Sequence, residues 1–260
     1  MPDAPAGPAP SLYDVLAPVY DRWQRCDGMT PFAQLALAKL LPVLGRYVRG
    51  NTPAAPRSFV DLGCGTGDLL LGLARARPHW RLAGIDGSAG MLAVARAKPG
   101  AACVEWAQSA LDALIVPAPR FDAAGCFYDT LNHLPDVAAL RAAFRDVAAA
   151  LVPGGLFLFD VTNQVGFESW WGSHRVWHGR DWCVDVTTHY DRDRRLGHAD
   201  TLIQNRGEET RATLTERCFT EGEVRAALAA AGLNVVSDEP WSPFDTDAEG
   251  KTWWISVKSS

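Results

Sequence analysis

One stretch of ten residues constrains the fold of this chain more than any other. Residues 59–68 form an apolar run that leads into Gly63, Gly65 and Gly67, and a helical pattern begins directly behind them. Glycine permits a tight turn and lets a ligand approach the main chain without a Cβ in the way. A helix that starts behind such a turn presents free N–H groups to that ligand. The stretch therefore predicts a strand, a binding turn and a helix.

Short apolar runs and helical segments keep alternating from residue 58 to residue 161. This alternation is typical of βαβ units, so it predicts a parallel sheet with helices on both faces. Residues 162–219 break it, because aromatic and β-branched runs are separated there by polar turns. We expect no helix in this segment and an antiparallel meander instead. A helix near 221–231 and strands at 233–236 and 253–257 complete the predicted fold.

These patterns predict four parts. Residues 1–10 form a disordered tail, and residues 11–50 form an N-terminal helical cap with helices near 12–25 and 32–48. Residues 58–161 and 220–260 form the ligand-binding α/β core. Residues 162–219 form an antiparallel lid inserted into that core, where a substrate would bind.

Composition restricts the possible partners and locations. The chain has 260 residues, 48% of them hydrophobic, and a formal net charge of -5. It contains no apolar run of membrane-spanning length, no secretory leader and no basic cluster, so we expect a cytoplasmic protein without a membrane or nucleic-acid partner. Its six cysteines form no CxxC pair, which favours reduced thiols and predicts no metal site. A monomer and a homodimer both remain open.

A carboxylate at the end of the next predicted strand narrows the class of ligand. Asp86 follows Gly67 by 19 residues, at the position where a carboxylate accepts hydrogen bonds from both ribose hydroxyls. Together with the glycine turn, it predicts an adenosine-type ligand. The glycines have GxGxG spacing, whereas the dinucleotide fingerprint is GxGxxG, so NAD is the alternative ligand. A glycine turn that binds no ligand is a further alternative.

The motifs resemble those of the class I S-adenosylmethionine-dependent methyltransferases. Residues 61–67 (Asp-Leu-Gly-Cys-Gly-Thr-Gly) look like their first motif, Asp86 occupies their ribose-binding position, and residues 121–122 and 151–155 are similar to their fourth and fifth strand regions. The resemblance implies S-adenosylmethionine as cofactor and S-adenosylhomocysteine as product. It also implies an α/β fold: a Rossmann-like, seven-stranded, mostly parallel sheet with one antiparallel strand at 253–257, helices on both faces and an inserted antiparallel β lid.

The resemblance also assigns residues to the cofactor. The family often carries an acid after the third strand, where this chain has Ser109. A hydroxyl pairs more weakly with the adenine amino group than a carboxylate does, and Gln108 is an alternative partner. The expected cofactor-binding residues are Tyr13, Tyr20, Asp61, Gly63, Cys64, Gly65, Gly67, Asp86, Gly87, Met91, Ser109, Ala110, Phe127 and Tyr128.

The loop after the fourth strand, residues 126–134, resembles that of small-molecule N-methyltransferases acting on glycine or deoxyamino sugars. His133 is a candidate general base, with cofactor orientation as its alternative role, and Tyr20 and Asp129 are further catalytic candidates. Residues 12–23 resemble the helix that folds over the cofactor in those enzymes. The expected substrate-binding residues are Trp23, Tyr128, Asn132, Trp170, Trp171, His174, Trp177 and Trp182.

The resemblance implies methyl transfer to a nitrogen or an oxygen of a small-molecule acceptor, in natural-product biosynthesis. Two alternatives stay open from the sequence. One is a protein of the same fold that binds the cofactor, or a partner, without methylating. The other is an NAD-dependent oxidoreductase.

Overall fold

The computed structural model describes five stretches of the chain: residues 11–26, 30–48, 57–114, 121–243 and 249–259. The predicted disordered tail, residues 1–10, lies outside them. Within these stretches, no helix is long and apolar enough to cross a membrane. The division into tail, cap, core and lid stays a prediction, and the elements themselves are as follows.

Seven strands form the main sheet. They are β1 (Ser58–Leu62), β2 (Arg81–Asp86), β3 (Val104–Gln108), β4 (Phe121–Cys126), β5 (Leu151–Thr162), β10 (Leu233–Trp241) and β11 (Lys251–Lys258). Their order is β10-β11-β5-β4-β1-β2-β3. Neighbours from β3 to β5 are parallel, whereas β11 is antiparallel to both β5 and β10. The predicted seven-stranded, mostly parallel sheet is confirmed, including its single antiparallel strand.

Helices cover both faces of this sheet. One face packs against α5 (Val137–Ala150) and α7 (Glu221–Ala230). The other face packs against α2 (Phe32–Tyr47), α3 (Asp68–Ala76) and α4 (Ala89–Ala97). All five residues of β1 are buried, as expected of a central strand with helices on either side.

The first helix, α1 (Leu12–Trp23), lies across the top of the core. It begins with a capping box in which the Ser11 hydroxyl and the Asp14 carboxylate satisfy each other's backbone N–H groups. Its apolar side packs with Met91 of α4 and with residues of the lid. The predicted N-terminal helix therefore bridges two parts of the molecule.

The lid is a four-stranded antiparallel sheet, as predicted, but a helix precedes it. Its strands are β6 (His174–His178), β7 (Trp182–Asp191), β8 (Leu196–Asn205) and β9 (Glu208–Arg217), in that order. The expectation of no helix between residues 162 and 219 is wrong, because α6 spans Gln164–Trp170. The Asn163 side chain caps α6 by accepting from the Gly166 N–H. Burial of Phe167 stabilises this short helix. The helix has too few turns for its apolar residues to show a clear helical periodicity in the sequence.

Strand β9 brings the lid against the loop that follows β4. Asn132 in that loop donates to the Arg217 carbonyl at 2.8 Å, and the Arg217 guanidinium donates to the Pro135 carbonyl at 2.7 Å. The end of β9 therefore lies beside the carboxyl ends of β4 and β5, where ligands bind in open α/β sheets.

Candidate active site

The glycine turn after β1 uses its three glycines for different purposes. The N–H groups of Gly63 and Cys64 both donate to the Ile85 carbonyl, at 2.8 and 3.1 Å. A Cβ at Gly63 would collide with Thr130, and one at Gly67 would collide with Trp106, so both glycines allow close packing. A Cβ at Gly65 would meet no atom within 4 Å. Gly65 is therefore the glycine that leaves open space for a ligand.

Asp86 stands opposite this turn at the end of β2. One carboxylate oxygen accepts from the Gly65 N–H at 2.8 Å, and the other accepts from the Ser88 N–H at 2.8 Å. Burial raises the pKa of Asp86, and these two backbone donors oppose the increase. Each oxygen keeps a free lone pair, so the carboxylate can still accept hydrogen bonds from a pair of vicinal hydroxyls.

Asp86 lies on the wall of a cavity of about 460 Å³. Twelve of the predicted site residues line it. Six follow the first three strands: Gly63, Gly65, Asp86, Gly87, Ser109 and Ala110. Six come from elsewhere: Tyr13, Tyr20, Met91, Phe127, Tyr128 and His133. The chain thus brings most of the predicted cofactor residues to one place.

A smaller cavity of about 80 Å³ adjoins the first and shares Tyr20, Gly65 and Phe127 with it. Asp61 and Cys64 line this smaller cavity, whereas Gly67 lines neither. Burial raises the pKa of Asp61 well above its usual range, and the nearby charge of Asp86 adds to the increase. A buried carboxyl of this kind is stabilised by a cation, such as the α-ammonium group of an amino acid.

The far end of the larger cavity departs from the sequence expectation. The Ser109 hydroxyl donates to the Ala113 carbonyl at 3.1 Å, and the Gln108 amide donates to the Gly87 carbonyl at 3.0 Å. Both side chains therefore already bond to the backbone. Asp112, in a 3₁₀ turn spanning Leu111–Ala113, lines the cavity together with Ser109. Sequence reasoning missed it by examining only one position, although an acid three residues later was visible.

Two aspartates of α1 accept hydrogen bonds that hold the helix over the cavity. Asp14 accepts from the Ser88 hydroxyl at 2.6 Å and from the Gly90 N–H at 2.8 Å. Burial raises the pKa of Asp14, but these hydrogen bonds outweigh it and lower the pKa to about 2. Near the other end of the helix, Asp21 accepts from the Thr66 hydroxyl at 2.6 Å. Helix α1 is thereby held on the loops that form the cavity.

His133 is placed by this helix as well as by its own loop. The Tyr13 hydroxyl and His133 Nε2 are hydrogen-bonded at 2.8 Å. Burial lowers the pKa of His133 to about 4, so its imidazole is neutral at neutral pH. Its Nδ1 is buried, and the Thr215 backbone beside the ring opposes the decrease in the pKa. Glu216 Oε1 on β9 lies 3.9 Å from that nitrogen.

Asp129 lies in a buried ion-pair network and does not line either cavity. It accepts from Lys251 and from the Thr162 hydroxyl. Lys251, 1% exposed, also donates to Asp160 at 2.9 Å, and Asp160 accepts from the Tyr128 N–H at 2.9 Å. This network holds the loop after β4, where Asp129 has a φ of 62°. No local sequence pattern indicates this network, because its members come from three distant segments.

Asn132 is fully buried, and its hydrogen bonds are satisfied by the backbone. Its amide donates to the carbonyls of Thr162 and Arg217, and its oxygen accepts from the Thr162 N–H. It therefore ties the loop to β5 and β9. Its assignment to the acceptor stays a prediction that this placement does not support.

The lid aromatics predicted to bind the substrate pack against other side chains of the protein and line neither cavity. Trp182 is 8% exposed and joins the apolar cluster that includes α1. Trp23 and Trp177 meet edge to face, with ring centroids 5.4 Å apart, and Trp171 stacks on Phe167. The remaining two predicted acceptor residues of the lid, Trp170 and His174, contact Gly250 and Asp185.

The predicted wall of tryptophans is therefore not found along the cavities. The lid residue that lines the larger cavity is Leu214 of β9. Side chains alternate between the two faces of a strand, and the apolar face of the lid sheet packs against α1 and α6. The tryptophans on that face therefore do not line the cavities.

Comparison with known proteins agrees with this geometry. A family model described as a methyltransferase domain matches residues 59–155. The 2-phytyl-1,4-naphtoquinone methyltransferase of Thermosynechococcus vestitus is 32% identical over 69% of this chain and 75% of that protein. The dTDP-3-amino-3,6-dideoxy-alpha-D-glucopyranose N,N-dimethyltransferase of Streptomyces fradiae is 28% identical over 89% of each. A putative methyltransferase of a Geobacillus strain is 36% identical over 55% of this chain, and the match spans half of that protein.

Solved structures share the fold across nearly the whole chain. The methyltransferase CcbJ of Streptomyces caelestis superposes with a TM-score of 0.76 at 20% identity, over 96% of this chain and 99% of that one. The amino pentose methyltransferase CalS10 of Micromonospora echinaspora, solved with S-adenosylmethionine bound, gives a TM-score of 0.68 at 24% identity, over 93% and 97%.

Proposed function

This chain belongs to the S-adenosylmethionine-dependent methyltransferases, and we propose that it transfers a methyl group to a nitrogen or an oxygen of a small-molecule acceptor. The observation that carries the proposal is one cavity of about 460 Å³. The glycine turn and Asp86 line one part of it, and His133, Tyr13 and Tyr20 line another. A cofactor with an adenosine end and a reactive end needs both kinds of surface.

The residues present fit S-adenosylmethionine. Asp86 would accept from the ribose hydroxyls, and the buried Asp61 would pair with the α-ammonium group of the methionine part. Gly65 leaves the space that the main chain needs to approach the ligand. Asp112, which lines the same part of the cavity as Ser109, would accept from the adenine amino group. When bound, the cofactor supplies a methyl group already activated by the sulfonium.

The chain's own residues then align and deprotonate the acceptor. Helix α1 covers the cavity, so Tyr13 and Tyr20 would exclude water from the reacting centre. The neutral His133 imidazole would take the proton that the acceptor N–H or O–H gives up. The 2.8 Å hydrogen bond to Tyr13 holds the ring in place. Alignment supplies most of the remaining rate enhancement, since the leaving group needs no further activation.

Two observations support a small acceptor. The cavity, about 460 Å³, has the volume of a site for a small molecule and not for a macromolecule. The Streptomyces fradiae relative is named for an amino sugar nucleotide and the Thermosynechococcus vestitus relative for a phytyl naphthoquinone, and both are small molecules compared with a protein or a nucleic acid. We therefore place the reaction in a biosynthetic pathway of small molecules.

Methyl transfer from isotopically labelled S-adenosylmethionine tests the proposal. The acceptors are the 3-amino sugar nucleotide named for the Streptomyces fradiae relative, its 3-hydroxyl counterpart and a catechol. We expect one methylated product, identified by mass, together with S-adenosylhomocysteine in equal amount. His133→Ala serves as the impaired variant. Binding of S-adenosylhomocysteine without methylation of any of the three acceptors would contradict the proposed acceptor class.

A further inference from the structure

Tyr128 lies where the two cavities of the candidate active site meet. It lines both the larger cavity of about 460 Å³ and the smaller cavity of about 80 Å³. S-adenosylmethionine would have its ribose on Asp86 in the larger cavity and its α-ammonium group beside Asp61 in the smaller one. The chain of its methionine part would then pass the wall that Tyr128 forms.

The backbone at Tyr128 has a conformation that its own residue type does not favour. Tyr128 and Asp129 have φ values of 60° and 62°, in the left-handed region that residues other than glycine rarely adopt. Two such residues in succession persist only where surrounding groups hold them. The groups that hold this pair therefore determine where the Tyr128 side chain lies.

Lys251 is at the centre of the groups that hold this backbone. Asp160 accepts from the N–H groups of Tyr128 and Asp129, at 2.9 and 3.4 Å. Lys251 donates to Asp160 at 2.9 Å and also to the Asp129 carboxylate. Burial lowers the pKa of Lys251, but the two carboxylates outweigh it and raise the pKa above its usual range. One buried ammonium ion therefore links both carboxylates.

The same ammonium contacts aromatic rings of the smaller cavity. Its nitrogen lies 5.4 Å from the ring centroid of Phe32 and 5.9 Å from that of Tyr128. These two rings stack with centroids 4.3 Å apart, and both line the smaller cavity. The Tyr128 hydroxyl accepts from the Gln24 amide at 3.0 Å, and Gln24 lines that cavity as well. Lys251 lines neither cavity, so it acts on a ligand through these neighbours.

We infer that Lys251 is a positioning residue for the amino-acid part of the cofactor. Through Asp160 and Tyr128 it fixes the wall that this part passes between the two cavities. The inference rests on the proposed function, because it takes the cofactor to extend from Asp86 to Asp61. It goes beyond that function by assigning a role in ligand binding to a buried ion-pair network at the start of β11.

Two ligands that differ in the amino-acid part test this by calorimetry. 5′-Methylthioadenosine has the adenosine and the sulfur of S-adenosylhomocysteine, but a methyl group replaces the amino-acid chain. The wild type should bind S-adenosylhomocysteine at least about tenfold more tightly, because only this ligand reaches Asp61. Lys251→Met should weaken S-adenosylhomocysteine binding about tenfold and change methylthioadenosine binding by less than about twofold. A merely structural role would weaken both, since both ligands use the adenosine end.

Further variants separate this role from a loss of folding. Asp160→Asn keeps the side-chain volume and leaves Lys251 paired with Asp129, so it weakens the support of Tyr128 without leaving a buried cation unpaired. It should show the same selective loss, of at least about threefold. In a Tyr128→Leu background, Lys251→Met should cause no further loss beyond about twofold, because its effect passes through Tyr128. Lys258→Met, at the other end of β11, should bind both ligands like the wild type.

Several results would overturn the inference alone. They are an unchanged affinity of Lys251→Met for S-adenosylhomocysteine, equal losses for both ligands, a full further loss in the Tyr128→Leu background, and a wild type that binds both ligands equally well. Where Lys251→Met does not fold, Asp160→Asn decides between a selective loss and an equal one. Failure of the wild type to bind either ligand overturns the proposed function instead.

Discussion

The glycine turn and the His133 end of the same cavity are built in opposite ways. At the glycine turn, residues adjacent in the chain form the surface, and backbone N–H groups satisfy Asp86. At the other end, Tyr13 comes from α1 and His133 from the loop after β4, and a hydrogen bond between their side chains joins two segments that are distant in the sequence. The comparison teaches that the first region follows from local sequence, whereas the second depends on how distant elements pack.

Replacement of His133 by alanine should affect catalysis at one end of the cavity and leave cofactor binding at the other end unchanged. We expect turnover to fall by about 10²–10⁴-fold, because the proton acceptor is lost. The affinity for S-adenosylhomocysteine should stay nearly unchanged, since His133 lies away from Asp86. Steady-state kinetics and calorimetry measure the two quantities, and His174→Ala in the lid is the matched control. A collapse of cofactor affinity with turnover preserved at saturation would show that His133 only orients the cofactor.

The lid aromatics should matter for stability and not for the cavity. Trp182→Ala removes a side chain that is 8% exposed, and we expect a loss of about 2–4 kcal/mol in the free energy of unfolding. Val176→Ala, on the exposed side of the same sheet, should change it by less than about 0.5 kcal/mol. Urea denaturation checks both. Unchanged stability combined with a higher KM for the acceptor would contradict this prediction and show that Trp182 binds the substrate.

At the glycine turn, the expected effect is on binding alone. Asp86→Ala should weaken S-adenosylhomocysteine binding by about 1.5–3 kcal/mol, the contribution of hydrogen bonds to a charged group. Asp193→Ala, an exposed acid in the lid, should bind like the wild type. Calorimetry at one ionic strength compares the three proteins. Equal affinity of Asp86→Ala and the wild type would contradict the assignment of Asp86 to the ribose hydroxyls.

The buried imidazole also predicts a pH dependence of stability. Its pKa is lowered from 6.5 to about 4 in the folded chain, so between these values the unfolded chain binds more protons. Stability therefore falls with falling pH in this window, by about 3 kcal/mol from this group. His133→Asn should lack that part of the loss, whereas His174→Asn should retain it. Parallel stability curves for the wild type and His133→Asn between pH 7 and pH 4.5 would contradict the assignment.

Local patterns made the core and the cofactor end predictable. The run from β1 through the glycine turn to α3 is encoded within twenty residues, and its hydrogen bonds are largely backbone to backbone. The acids at Asp61 and Asp86 have fixed places relative to that turn. For such a unit, sequence spacing alone determines which groups meet.

The acceptor end could not be predicted in the same way, because tertiary packing decides which side chains face the cavity. Tryptophans clustered in the sequence suggested a ring-binding wall, but Trp182 is consumed by the apolar cluster with α1. Leu214 gave no local signal, since it reaches the cavity only because β9 docks on the loop after β4. Lys251 likewise meets Asp129 only through the antiparallel pairing of β11 with β5.

A crystal structure with S-adenosylhomocysteine bound tests the central claim most directly. The account predicts the ribose hydroxyls on the Asp86 carboxylate, the α-ammonium group beside Asp61, and the sulfur on the side of the cavity lined by Tyr13 and His133. The space beside that sulfur should open toward Leu214 of β9. A ribose bound away from Asp86, or a sulfur facing away from His133, would contradict the account.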